Sequence, residues 1–418
     1  MEMVLEIMDE IKLEVDEALE IALEKHQQGN LKEAELLYRA ILKIQENADA
    51  YHLLGLIASA TSHHQEAINL IAKAISIKED ALFYHNLGMV YHQLGNDKES
   101  TSNFEKAISF NKSYPNIHLA YFNLGVNAKD EGELQKAIEL YNKAIEIKSD
   151  FKEAHLNKGL ILLLLGNFEE GWKEYEYRLN QEINIPEWQG EKNKKVLVVS
   201  EQGFGDDIQF IRYLPLIQGC EIIFKCKPEL KELFKNLGYE YYNNQKCDCY
   251  INLMSLPRIF KTDISNIPPI LDFKINSIPF NSKRLKVGLC WHGNKNQEND
   301  KNRSMKFDDL KPLLNLPIDF YCLQKGEPQD GLINLDEINS FEGTASIIKG
   351  LDLVISVDTA IAHLAGSLNI PCWTLLCKIP DWRYLLDRTD CLWYPKMKLF
   401  RQEKSWKDVV EKVKKELN

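Results

Sequence analysis

Val354-Ile-Ser-Val-Asp-Thr-Ala-Ile-Ala-His-Leu-Ala-Gly366 is the stretch on which the fold of the carboxyl-terminal half turns. Val354, Ile355 and Val357 form a short apolar run after Gly350, the pattern of a buried strand. From Thr359 to Leu368 the spacing becomes helical, with Ile361, Leu364, Ala365 and Leu368 on one stripe. Asp358 and Thr359 therefore stand where a strand ends and a helix begins. Their oxygens are placed to cap the helix, and its free N–H groups at the carboxyl end of a strand suit a phosphate. The plainer reading, an ordinary capped helix with His363 satisfied in the core, stands beside it.

The surrounding sequence extends the strand–loop–helix pattern. Val196-Leu-Val-Val199 reads as a buried strand, Ser200-Glu-Gln-Gly-Phe-Gly-Asp-Asp207 as a glycine-containing loop, and Ile208 to about Ile217 as an amphipathic helix. Gly203 and Gly205 permit a tight turn and close approach to the backbone, although the third glycine of a dinucleotide fingerprint is missing. Further strands are expected at Glu221–Lys225, Tyr250–Leu253, Lys286–Trp291, Ile318–Leu323 and Cys372–Leu376. The proline-rich Ile267–Ile270 separates two groups of strands, so two α/β domains are expected, residues 195–275 (short, hence trimmed) and 283–418. Two such domains facing each other form a cleft.

The first 180 residues have a different period. Small residues recur at Ala34, Ala67, Ser100, Ala137 and Gly171, at spacings of 33, 33, 37 and 34 residues. Gly55, Gly88, Gly125 and Gly159 keep step with them, and turn signals fall at Gly29-Asn30, Ser62-His63, Gly95-Asn96, Gly132-Glu133 and Gly166-Asn167. Each unit reads as two short helices crossing at small residues, with Tyr38, Tyr51, Phe104, Tyr121 and Tyr141 filling neighbouring positions. The pattern resembles the tetratricopeptide repeat (TPR), about 34 residues of helix–turn–helix. Such units stack into a solenoid whose concave groove holds a peptide or protein segment. The 37-residue junction around Asn111–Asn116 implies a longer loop, read as insertion tolerance in preference to a binding feature. The aromatic run Gly171-Trp-Lys-Glu-Tyr-Glu-Tyr-Arg178 reads as the joint onto the next domain.

Composition bounds the function. The chain has 418 residues, 44% of them hydrophobic, enough for two or three domains. A net charge of −11 and the absence of a basic tract argue against nucleic-acid binding. The acidic start Met1-Glu-Met-Val-Leu-Glu6 lacks the order of a signal peptide, and the apolar run Leu160–Leu165 is too short for a membrane span, so a cytoplasmic location is expected. Nine irregularly spaced cysteines suit free thiols in a reducing compartment; Cys247 and Cys249, the one close pair, read as strand-edge thiols.

Taken together, Glu201-Gln-Gly-Phe-Gly-Asp206, Trp291-His-Gly-Asn294, Arg303-Ser304, Leu323-Gln-Lys325, Asp358-Thr-Ala-Ile-Ala-His363 and Asp381-Trp-Arg383 resemble bacterial glycosyltransferases with N-terminal tetratricopeptide repeats. Their catalytic part is similar to lipopolysaccharide heptosyltransferases. The resemblance implies a TPR α-solenoid (1–180) recruiting a protein acceptor, followed by a GT-B pair of Rossmann-like domains. Members with this layout include enzymes that glycosylate flagellin.

The resemblance also implies roles. Gly205-Asp206 matches the family's catalytic base: a hydroxyl is a poor nucleophile, and a carboxylate within reach accepts its proton. Asp207 is the rival, and a helix-capping Asp206 is the alternative. Asp358, Thr359 and Ala360 match the diphosphate-binding turn, where the family's Asp-Thr-Gly reads Asp-Thr-Ala. Arg303 matches a basic residue for the phosphate, His363 reaches the donor from the same helix face as Thr359, and Gln324 and Lys325 fit the nucleotide side. Glu201, Gln202, Gly203, Trp291, His292, Asn294, Asp381, Trp382 and Arg383 are candidates for the cleft or acceptor side. With no Asp-x-Asp in the chain, metal-independent transfer is expected, with no cofactor beyond the nucleotide sugar, and one evident carboxylate base implies inversion. The leading expectation is a glycosyltransferase acting on a hydroxyl of a protein acceptor. A lipopolysaccharide-type glycan acceptor and a TPR scaffold with an inactive transferase part are the alternatives; stacked repeats also often pair with a second copy.

Overall fold

The computed structural model describes residues 15–110, 114–179, 183–297, 299–335 and 339–418. Residues Met1–Glu6 and the first part of the expected Asn111–Asn116 loop lie outside these ranges. The chain divides into two compact units, Met1–Lys158 and Gly159–Asn418. No described helix is long and apolar enough to cross a membrane.

The first unit is a run of helical hairpins: α1 (Val15–Gln27) with α2 (Leu31–Ile44), α3 (Ala48–Ala60) with α4 (His64–Ile77), α5 (Ala81–Gln93) with α6 (Asp97–Ser109), and α7 (Ile117–Glu131) with α8 (Leu134–Ile147). The small residues are where the helices cross. A side-chain carbon added at Gly55, Gly88 or Gly125 would stand 2.7 Å from Ile71, 2.8 Å from Phe104 or 2.5 Å from Tyr141, so only glycine lets those side chains in. Ala34, Ala67, Ser100 and Ala137 are fully buried. Ser100 departs from alanine for a reason: its hydroxyl accepts a hydrogen bond from Asn127 Nδ2 at 2.9 Å. Turn residues Gly29, Gly95 and Gly132 have φ of +79°, +70° and +90°, and Ser62 holds the same left-handed conformation at +63°. Asn86 bonds His52 across successive hairpins at 2.8 Å, and Asn123 meets His85 at 3.5 Å.

The second unit opens inside α9 (Lys152–Leu164) and takes in α10 (Phe168–Tyr175), continued by a 3-10 turn at Glu176–Arg178. Two parallel sheets come next. The first contains β1 (Lys195–Val199), β2 (Glu221–Lys225), β3 (Glu240–Tyr241) and β4 (Cys249–Asn252), ordered β3-β2-β1-β4. The second contains β5 (Lys286–Cys290), β6 (Asp319–Cys322), β7 (Leu353–Val357), β8 (Cys372–Leu376) and β9 (Met397–Arg401), ordered β6-β5-β7-β8-β9. The helices of this unit include α11 (Phe204–Phe210), α12 (Phe341–Ile348), α13 (Ala360–Ser367) and α14 (Trp406–Leu417). All five residues of β7 are buried, as a central parallel strand covered on both faces requires.

Strand order reverses between β1 and β4 in one sheet and between β5 and β7 in the other. Ligands of open α/β sheets bind outside the carboxyl ends of strands at such switch points. The loop after β1 leads to Asp206, and the loop after β7 holds Asp358 and Thr359.

Three elements differ from expectation. The helix expected from Ile208 begins at Phe204 and ends at Phe210, beyond which Pro215 tightens the chain into a 3-10 turn. Strands β3 and β9 were not expected; β3 is two residues long, and β9 alternates charge with apolar residues in Met-Lys-Leu-Phe-Arg. All nine cysteines are unpaired thiols, with Cys247 and Cys249 buried at the entry to β4.

Candidate functional site

Asp206 is the third residue of α11, a position that fixes its geometry. One carboxylate oxygen accepts the Gly203 N–H at 2.7 Å, closing the helix N-terminus. The other accepts from Arg383 Nη2, a residue 177 positions further along the chain. Arg383 is buried beside it: Nε donates to Gln209 Oε1 at 2.5 Å, Nη1 to Asp381 at 2.9 Å, and the guanidinium stacks 4.4 Å over the Trp382 ring. Burial disfavours the Arg383 charge, but Asp381 and Asp206 more than offset it and hold the group above its ordinary range. Helix capping and ion pairing thus both use Asp206.

Asp207 has a separate environment. It is fully buried, accepting from Ser200 Oγ and, at 2.6 Å, from Lys227 Nζ. Burial pushes its carboxyl up to about 6 against the pull of Lys227. Ser200 follows β1 and Lys227 follows β2, so these partners belong to the first sheet.

The second cluster forms around the start of α13. Thr359 is its N-cap: the hydroxyl accepts the Ile361 N–H at 3.2 Å and meets Ser356 Oγ at 3.0 Å. Asp358 accepts from the Tyr384 hydroxyl at 2.9 Å, while its backbone carbonyl accepts from Arg303 Nη1 at 3.1 Å. Burial, reinforced by the Asp381 carboxylate, raises Asp358 to about 6 against the opposing pull of Arg303 and Arg383. His363 is buried, with Nδ1 2.9 Å from the Tyr394 hydroxyl and Nε2 3.7 Å from Asp358. Burial and then the charges of Arg383, Arg212 and Arg303 push its imidazole well below the ordinary histidine range.

Gly205 brings the two clusters together. A side-chain carbon there would lie 2.7 Å from His363 and 3.5 Å from Ala360 Cα. Helix α11 therefore lies directly on α13, and Ser367 Oγ donates to the Ile208 carbonyl at 3.3 Å along the same contact. Gly205, Asp206, Asp358, Ala360, His363, Asp381 and Arg383 thus converge.

Other candidates have structural partners. Glu201 takes a bidentate grip from Arg178, at 2.6 and 3.1 Å, and its oxygen also accepts the Met254 N–H, which commits it to the scaffold. Gln202 is held in the left-handed region (φ +53°), its Oε1 accepting from Tyr175 OH at 3.1 Å. Arg303 packs where Gly293 has no side chain and also bonds Asp300 at 3.3 Å. Gln324 closes the end of β5 by accepting the Trp291 and His292 N–H groups, each at 3.2 Å. Lys325 is exposed and donates to the Asn339 carbonyl. Instead of lining a rim, Trp291 sits in the core against Phe307, and Trp382 is enclosed by Trp172, Tyr175, Phe210 and Trp393, because both rings are large and apolar. His292 pairs with Glu327 at 2.9 Å, and Asn294 is exposed, folding back on the Asn296 N–H. A concavity of about 390 Å³ is lined by Glu169, Trp172, Lys173, Arg258, Lys261, Thr262 and Asp263, and none of the candidate residues borders it.

Arg178, Gln209, Tyr384 and Tyr394 were not singled out from sequence. A signal existed for Arg178 alone: counted along the repeat, it stands where Ala74, Ala107 and Ala144 stand.

Tetratricopeptide-repeat family models match residues 79–150 and 48–80. The chain carries tetratricopeptide repeats. Protein FlbA of Caulobacter vibrioides is 22% identical over 354 residues, covering 69% of this chain and 59% of FlbA. An uncharacterised protein of Methanocaldococcus jannaschii is 42% identical over 50 residues, 12% of this chain and 58% of that protein. The chain therefore spans less than two thirds of either relative's length. Among solved structures, MamA matches 38% of this chain and 91% of its own at 27% identity and a TM-score of 0.34. PilF of Pseudomonas aeruginosa matches 40% and 78% at 18% identity and a TM-score of 0.38.

Proposed function

We propose that the second unit is a GT-B glycosyltransferase that moves a sugar from a nucleotide donor to a hydroxyl, with the repeats recruiting a protein acceptor, flagellin being one candidate. The supporting observation is that the turn after one sheet's switch-point strand, carrying Gly205-Asp206, packs on the Asp358–His363 turn of the other, with Asp206 paired to Arg383. In this reading Asp206 is the base and Asp207, enclosed with Lys227, is not. The donor's diphosphate competes with Asp206 and Asp381 for the Arg383 guanidinium, a planar fork suited to phosphate. Its arrival leaves the carboxylate to accept the hydroxyl proton. Arg303 and the start of α13 offset the remaining charge, so no divalent cation is required, and displacement proceeds with inversion. Helices α11 and α13 touch at Gly205, so donor entry requires them to part.

One observation favours a second reading, a repeat scaffold with an inert α/β part: both oxygens of Asp206 are already engaged. A panel of nucleotide sugars separates the two. Release of free nucleotide that falls by about 10²–10⁴-fold in Asp206→Asn supports the transferase; absence of turnover with every donor sinks it.

A further inference from the structure

The fifth helical hairpin follows the repeat and breaks it at two positions. Gly159 stands 16 residues before Tyr175, the interval that separates Gly55 from Ile71, Gly88 from Phe104 and Gly125 from Tyr141. Of the earlier side chains at this position, Ile71 and Phe104 are apolar plugs, the Tyr141 hydroxyl is buried with no partner, and the Tyr38 hydroxyl meets His26 of its own hairpin at 3.4 Å. Tyr175 instead donates its hydroxyl to Gln202, in the loop that leads to Asp206. Three residues on, the buried alanines Ala74, Ala107 and Ala144 are replaced by Arg178.

A buried arginine in place of alanine is costly unless it is paired. Arg178 is fully committed. Its side chain is 2% exposed, it grips Glu201 with two nitrogens, and it bonds Glu176 at 2.8 Å, the Tyr175 carbonyl at 3.0 Å and Ser255 Oγ at 2.9 Å. One turn earlier, Trp172 meets Trp382 edge to face with ring centroids 5.1 Å apart, and its indole N–H donates to the Thr262 carbonyl at 2.8 Å. Trp382 is the ring on which Arg383 stacks. One short helix therefore holds both sides of the Asp206–Arg383 pair: the loop before Asp206 through Tyr175 and Arg178, and the turn before Arg383 through Trp172.

We infer that Tyr175 and Arg178 are positioning residues for the site, and that the fifth hairpin has been converted from an acceptor-groove repeat into part of the catalytic frame. For its effect on turnover this rests on the transferase reading. Gln202 is a non-glycine residue in the left-handed region, a conformation that persists only where its surroundings impose it. The Tyr175 hydroxyl is such a constraint.

The test uses the full chain with Tyr175→Phe, which keeps the ring and removes the donor, and Tyr141→Phe at the matching repeat position as control. Two readouts apply: turnover with the active donor, and amide hydrogen exchange of residues 200–206 without ligand. Tyr175→Phe is expected to lower kcat by about tenfold with the donor KM unchanged, and to accelerate exchange in 200–206, while Tyr141→Phe alters neither. Arg178→Lys, retaining charge without the fork, is expected to lower kcat and accelerate exchange in 200–206 at least as much as Tyr175→Phe. Unchanged exchange and kcat in Tyr175→Phe, or an equal loss in Tyr141→Phe, overturns the inference. If the wild type turns over no donor, the transferase reading fails, and the exchange measurement alone still decides whether the hairpin positions the loop.

Discussion

The two units of this protein are held together over very different ranges of sequence. In the repeat unit the decisive contacts join residues 16 apart, Gly55 to Ile71, Gly88 to Phe104 and Gly125 to Tyr141, and they recur with each hairpin. In the α/β unit they join Asp206 to Arg383, Gln209 to Arg383 and Arg212 to the Trp393 carbonyl, separations of 177, 174 and 181 residues, and each occurs once. The first is apolar shape matching at glycines; the second is a buried polar network. Loss of one repeat contact leaves a local misfit, whereas loss of one member of the network strands several partners.

That difference gives an ordered set of expectations. The largest is for Arg383→Leu, which leaves Asp206, Asp381 and Gln209 without their shared donor. It is expected to destabilise the α/β unit by about 3 kcal/mol and to leave the repeat unit's melting transition in calorimetry where it was. A single transition that moves as a whole would break the comparison. Gly125→Ala drives a methyl against the Tyr141 ring and is expected to cost the repeat unit about 2 kcal/mol, read from its denaturant midpoint.

Next is pH. Asp207 and Asp358 have folded values near 6, above those of the unfolded chain. Between about pH 4 and 6 the folded state binds protons that the unfolded state does not, so their contribution to stability is present below that window and is lost as pH rises through it. Asp207→Asn is expected to flatten this slope in urea titrations of the α/β unit at pH 5, 6 and 7. The smallest effect is for Ser62→Gly, where a serine holds the left-handed turn that glycine holds in the other hairpins; a gain of about 0.5–1 kcal/mol is expected.

The same contrast explains what could be read in the sequence. Repetition made the hairpins legible: Gly29, Gly95, Gly132 and Gly166 marked turns because the same signal returned in register, and Ser62 could be placed by analogy. The buried strands β1, β5, β7 and β8 were legible as apolar runs. Strand β9 was not, since Lys398 and Arg401 interrupt its apolar residues. The pairing of Arg383 with Asp206 was not legible, because nothing local in Trp382-Arg383 points to Asp206; family resemblance supplied only the separate candidates Gly205-Asp206, Asp358–His363 and Asp381–Arg383. Trp291 reads the same whether it lines a cleft or fills a core; its neighbour Phe307 decides, and that contact depends on chain topology.

Arg178 has a consequence for rearranging the array. The hairpins between Ala48 and Ile147 share a crossing glycine, so duplication or loss among them keeps that contact, while the Ser100–Asn127 bond is particular to one interface. The fifth cannot be traded. Moved upstream, its guanidinium would sit where alanine fits and no carboxylate waits; replaced by a sibling, it would abandon Glu201. A truncation at residue 180 would therefore cut away a wall of the α/β unit together with the repeats.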